Sequence, residues 1–227
     1  IIKRQKMLEI LQYDFIQNAL IAGVLISIAA GIIGSLVVVN KITFLTGGIA
    51  HSSYGGIGLA IYMGIPVLFG ATVFAVLTAI LIAIITLKNR TRIDAIIGMM
   101  WASGMAIGII FVDLTPGYNV DLMSYLFGSI IAVSREDLIY MSVLDVFIIS
   151  IVVFFYKQIL AVSYDSEFAS LRGINVKFFY TLILILAALC VVAAIKAVGL
   201  ILVIALLTIP TYLAENFSSK LSTMMII

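Results

Sequence analysis

Phe15 to Val39 is a long run without a single Asp, Glu, Lys or Arg, and comparable apolar runs recur through to Ala214. Each is close to the 20 or so apolar residues that a helix needs to cross bilayer hydrocarbon. A chain built this way has one solvent open to it, which is lipid. Composition agrees: 64% of the residues are hydrophobic and 11% charged, against roughly 25% charged in soluble domains.

Spans are expected at Phe15 to Val39, Gly47 to Gly64, Pro66 to Leu87, Ala95 to Val112, Leu138 to Tyr156, Phe178 to Ile195 and Ala197 to Ala214. Pro66 stands at an entry, where its missing N–H costs least, and Asp94 stands where an N-cap belongs. Leu122 to Val133 is too short to cross, so a re-entrant or half-membrane helix is expected there. Pro210, late in the seventh run, predicts a kink or an early end. After ENFSSK the segment LSTMMII reads as the start of an eighth span that the sequence cuts short. The fold class is therefore an all-α, polytopic helical bundle, one transmembrane domain over residues 1–227.

The amino-terminal IIKRQKMLEILQYDF turns amphipathic and does not read as a signal peptide. Met7 is a plausible start, with residues 1–6 an extension. The positive-inside rule places KNRTRID, Lys41, Lys157, Arg172, Lys177 and Lys220 on the cytoplasmic side and the amino terminus outside. A net charge of +2, with no basic block, gives no sign of nucleic acid as a partner. Cys190, the one cysteine, reads as a small buried hydrophobe.

The few polar residues inside the spans carry what function the sequence reveals. GGIAHSSYGGIGLA, Gly47 to Ala60, lacks the strand or GKS/GKT context of a phosphate loop. On a helix, Gly48, Ser52, Gly56 and Ala60 recur every four residues, a stripe that lets another helix approach closely. His51 lies beside the stripe and reads either as a pathway or metal-ligating residue or as a histidine hydrogen-bonded to a serine or carbonyl. Asp145, inside the fifth span, is expected near an interface or paired with a polar group on another helix. Asp113 and Asp121 flank the Pro116-Gly117 turn and stabilise it, with a possible second role in attracting cations. Within the polar loop 157–177, YDSEFASLRGIN has Asp165 as a start, Glu167 behind it, Phe168 and Leu171 on one side, Arg172, and Gly173 as a stop. That pattern is one short capped amphipathic helix, free to dock into another protein.

Several of these segments together resemble the permease subunit of the zinc/manganese/iron ABC importers. GGIAHSSYGGIGLA resembles that family's histidine-bearing helix, and DAIIGMMWASGMAIGIIF its fourth span. VDLMSYLFGSIIAVSRED is similar to its segment with a Leu-Phe-Gly core, YDSEFASLRGIN to its coupling helix, and KAVGLILVIALLTIPTYLAENFSSKLSTMM to its closing block. The resemblance implies a type II ABC importer permease in the prokaryotic cell (inner) membrane. It implies as partners a second permease subunit, expected as a homodimer, an ABC ATPase subunit, an extracytoplasmic metal-binding protein and membrane lipid. The cargo is a divalent metal ion, with zinc expected ahead of manganese or iron, and no cofactor is permanently bound. His51 matches the family's intramembrane histidine, but the aspartate that many members place four residues earlier is Gly47 here. Asp165, Glu167, Phe168, Leu171, Arg172 and Gly173 match the helix that couples to the ATPase.

Three other readings compete. A related permease for siderophores or cobalamin needs a wider vestibule, an intramembrane enzyme needs His51 and Asp145 within about 3 Å or bridged by water, and a structural subunit needs no pathway residue at all. Neither a Walker motif nor a Ser-His-Asp set is in the sequence, so the energy for transport is expected from a partner.

Overall fold

The computed structural model describes residues 13–88, 93–116, 123–218 and 220–227, and among these it is helical with no strand. The expectations for Met7, for residues 89–92 of KNRTRID and for Asp121 lie outside the described residues. The helices are α1 (Asp14–Val39), α2 (Thr43–Met63), α3 (Val67–Lys88), α4 (Ile93–Asp113), α5 (Met123–Phe127), α6 (Arg135–Phe154), α7 (Tyr156–Tyr164), α8 (Ser166–Leu171), α9 (Val176–Phe217) and α10 (Leu221–Met224).

Five of them, α1, α3, α4, α6 and α9, are long and apolar enough to cross a membrane. Their outward faces expose large apolar side chains such as Leu77, Ile109, Val146 and Leu202, as expected of surfaces meant for lipid. α2 is as long, but glycine, serine and histidine dilute its apolarity. It is sheathed by protein instead, buried without interruption from Leu45 to Gly58. The small residues that lower its hydropathy are what allow neighbours on every side.

The two runs expected at Phe178 to Ile195 and Ala197 to Ala214 form the single stretch α9, 42 residues long. At 1.5 Å per residue a straight helix of that length would span about 63 Å, twice the hydrocarbon thickness. It does not run straight, because Gly199 has φ 81° and ψ 162°. Phe179 meets Phe155 at the end of α6, Lys196 meets Asp137 at its start, and Ala214 lies in a groove with Tyr156 back at the end. The chain therefore climbs antiparallel to α6, turns back around Gly199 and descends beside it. A Cβ at Gly199 would collide with the backbone of Phe127 and Gly128, so glycine serves both the positive φ and the close crossing. Pro210 ends nothing: the helix continues to Phe217 with Gly199 its only non-helical residue.

Leu122 to Val133 is not one half-membrane helix. Among the described residues it forms the short α5 and a 3-10 turn over Ile130–Ala132, separated at Gly128, whose φ is 71°. Ser129 donates its amide to the Lys196 carbonyl at 3.0 Å, so this segment packs against the α9 reversal. Asp94 falls in the first turn of α4. LSTMMII forms α10 with Leu221 and Met224 buried and Met225 against Gly31 of α1.

Candidate metal pathway and coupling surface

α2 carries His51 into the centre of the bundle, where it is 7% exposed. Its Nδ1–H donates to the Gly47 carbonyl, one turn back, at 3.0 Å. The imidazole lies flat against the indole of Trp101 on α4, with ring centroids 3.7 Å apart and planes 20° from parallel. No group of three or more His, Cys, Asp or Glu side chains gathers as a metal cage among the described residues. His51 thus stands as an isolated imidazole covered by an aromatic face.

The small residues beside it fix α2 against two helices in turn. Gly48 meets Ile97 of α4, and Ser52 meets Gly104 of α4 while donating Oγ–H to the Met100 carbonyl at 2.9 Å. Further along, Gly56 and Ala60 face Gly70 of α3. Gly58 and Gly108 touch backbone to backbone, closer than any larger residue permits. The four-residue stripe therefore serves α4 with its first half and α3 with its second.

Asp145 is 3% exposed on α6. Neither carboxylate oxygen has a hydrogen-bond partner among the described residues, so of the two placements expected for it, near an interface or paired across helices, the pairing is not found there. His51 gives its hydrogen bond to Gly47, and no hydrogen bond joins it to Asp145 among the described residues. Asp113 closes α4.

At the opposite end of the fold from the Gly199 reversal, the polar loop folds as two helices, because the helix break at Phe155 is followed by α7. In α8, Asp165 caps the start, its Oδ1 accepting the Phe168 amide at 2.9 Å. Gly173 follows the end at φ 77°. Ala169 alone is buried. Glu167, Phe168, Leu171 and Arg172 are exposed, and the Arg172 guanidinium sits over the Phe168 ring, 4.7 Å from its centroid.

At the reversal end, sequence reasoning missed a polar knot. Ser134 and Asp137 form a capping box at the head of α6, and Asp137 also takes the Lys196 ammonium at 2.5 Å. The signals were present: an S-x-x-D before an apolar run, and one lysine between two uncharged ones. Trp101 was missed too, and its only signal was to be the one tryptophan in the chain.

Comparison with known proteins places this arrangement. The profile of the ABC 3 transport family matches residues 12–227. An uncharacterized membrane protein of Synechocystis is 45% identical over 97% of this chain and 79% of its own length. The manganese transport system membrane protein MntC of Listeria monocytogenes is 33% identical over 96% and 78%. Among solved structures, PsaBC from Streptococcus pneumoniae in complex with Fab superposes with a TM-score of 0.87 at 30% identity, covering 98% of this chain and 80% of that one. Its helical architecture, its lipid-facing surface and these matches agree: the chain belongs to the ABC 3 transport family, as a transporter permease seated in the membrane.

Proposed function

We propose that this chain is the membrane-spanning subunit of an ATP-driven importer of a divalent transition metal, with His51 on the pathway. The observation that carries the reading is the placement of the one histidine: buried within the bundle, on a helix whose glycines, Ser52 and Ala60 let neighbouring helices approach closely enough to enclose a bare ion. An ionisable side chain at such depth is costly and normally faces a partner or pathway. Relatives named for metal or manganese transport support the cargo class. A lone imidazole suits zinc better than manganese by ligand softness, whereas the Listeria relative is named for manganese; zinc, manganese and iron are all within the proposal. The enclosure of His51 under Trp101 favours a bare ion over a bulky chelate.

The bilayer is crossed seven times in this reading, with the two limbs of α9 counted separately and α2 as an inner pass. The partners are a second permease subunit, an ABC ATPase that receives α8, and an extracytoplasmic metal-binding protein that delivers the ion. Vesicles holding the assembled complex, with the binding protein supplied, test this directly. ATP-dependent uptake of labelled zinc, manganese or iron that falls at least about tenfold in His51→Ala is expected, a loss of the size that deleting a metal-site group produces. Uptake of none of the three metals would sink the cargo assignment, and uptake unchanged by His51→Ala would remove His51 from the pathway.

A further inference from the structure

We propose that Trp101 is the positioning residue of the His51 site: its indole holds the imidazole so that Nδ1–H stays on the Gly47 carbonyl and Nε2 is the atom offered to the metal. This rests on the reading of His51 as a pathway ligand and adds the residue that sets its geometry.

The tautomer follows from the hydrogen bond. A carbonyl oxygen only accepts, so Nδ1 must carry the proton in the contact with Gly47, and in the neutral ring the free lone pair is on Nε2. In metal sites such a bond from the non-ligating nitrogen normally fixes the orientation of the ligating one, often with a carboxylate as acceptor. Here the acceptor is backbone, and a single neutral hydrogen bond, modest in net worth, restrains the ring only weakly against turning about its Cβ–Cγ bond. The indole face at 3.7 Å and 20° closes that freedom on one side.

Trp101 is itself held in place by the packing of α4 on α2. Met100, the residue before it, accepts the Ser52 hydroxyl at 2.9 Å, and Gly104, three residues after it, lies against the Ser52 backbone. Ser52 is the neighbour of His51, so the two aromatic rings are registered by contacts one residue away on each helix. An indole is also the aromatic face that best attracts positive charge. An imidazole that has given its lone pair to a dication is electron-poor, so the stack strengthens on loading.

The chain contains one histidine and one tryptophan, so both partners can be observed without interference. The experiment uses the full chain in lipid nanodiscs without its partner subunits, free of histidine tags, with ring-labelled histidine and zinc alone as the probe. In the unaltered protein a single Nδ1-protonated tautomer is expected, zinc should shift Nε2, and Trp101 fluorescence should change along the same titration curve. In Trp101→Ala the ring should populate both tautomers and zinc should bind about tenfold more weakly, the lower end of the range for losing an orienting neighbour. Trp101→Phe, which keeps an aromatic face and the packing, should restore the single tautomer and most of the affinity. If Trp101→Ala keeps one tautomer and full affinity, the positioning role is overturned while His51 remains a ligand. If zinc leaves Nε2 unmoved in the unaltered protein, it is the ligand reading of His51 that fails, whatever the tautomer shows.

Discussion

Gly47 is where the site can be rebuilt by one substitution. Residues at i and i+4 share a helix face, so a carboxylate at position 47 would lie beside His51 and add a hard oxygen to its nitrogen. A Cβ there would stand 3.1 Å from Cδ1 of Ile204, the movable tip of a flexible side chain, so the cost in packing is small. Gly47→Asp should therefore leave the protein folded and shift its preference towards manganese, the harder ion. Competition between labelled manganese and zinc in vesicle uptake measures this, with a severalfold rise in the manganese to zinc ratio expected. An unchanged ratio in a protein that still transports would show that position 47 does not face the pathway. At this scale the sequence was legible where chemistry is local. Asp165 as a cap and Gly173 as a stop depend on residues a few positions away, and they read correctly. The stack of His51 on Trp101 joins residues on separate helices, and nothing in either segment specifies how α4 is rotated against α2. The bare carboxyl of Asp145 escaped for the same reason, since a partner or its lack is decided by helices remote in sequence.

Among the elements, α8 separates folding from communication most clearly. Its hold on the bundle is Ala169, which is buried, while Phe168 is 46% and Leu171 88% exposed. Apolar side chains of that size on a capped helix beyond the spans are available to a partner, and the cation–π contact from Arg172 steadies Phe168 at a modest cost of under about 1 kcal/mol if lost. Phe168→Asp should thus leave thermal stability in detergent almost unchanged while reducing co-purification of the ATPase subunit and ATP-driven uptake together, each by about thirtyfold or more, since the loss of one buried aromatic anchor is worth about 2 kcal/mol or more. Undiminished co-purification would remove Phe168 from the interface, and a large drop in melting temperature would mean that α8 contributes more to the fold than its exposure indicates. The same contrast explains how the elements were read. Long apolar runs announced themselves by length, and the boundary expected between Ile195 and Ala197 falls close to the reversal, whose non-helical residue is Gly199. Leu122 to Val133, expected not to cross, is not one helix because its continuity is broken by the positive φ of Gly128, a choice set by its crossing with Gly199 and not by its own sequence.

For the molecule as a whole, the two ends differ in chemistry, and the difference predicts how it sits in the membrane. One end gathers Ser134, Asp137 and Lys196 in short hydrogen bonds, so its lysine is already neutralised by a carboxylate and adds little to the field outside. At the other end Lys41 is exposed beside the α1 to α2 turn, Arg172 and Lys177 follow α8, and Lys88 closes α3. Cations concentrated there, none of them in an ion pair among the described residues, are what the positive-inside rule acts on, so the α8 end should face the cytoplasm and the Lys196 end the exterior. Cys190 is 2% exposed, which makes the native chain a quiet background for thiol labelling. Glu136→Cys, exposed in the first turn of α6, should react with a membrane-impermeant maleimide in intact cells. Lys177→Cys, exposed beside α8, should react only after the membrane is opened. The reverse pattern would invert the molecule, place α8 away from any cytoplasmic ATPase and remove the physical basis for calling it a coupling helix, whereas labelling of both sites in intact cells would mean that the protein had not inserted with a single orientation.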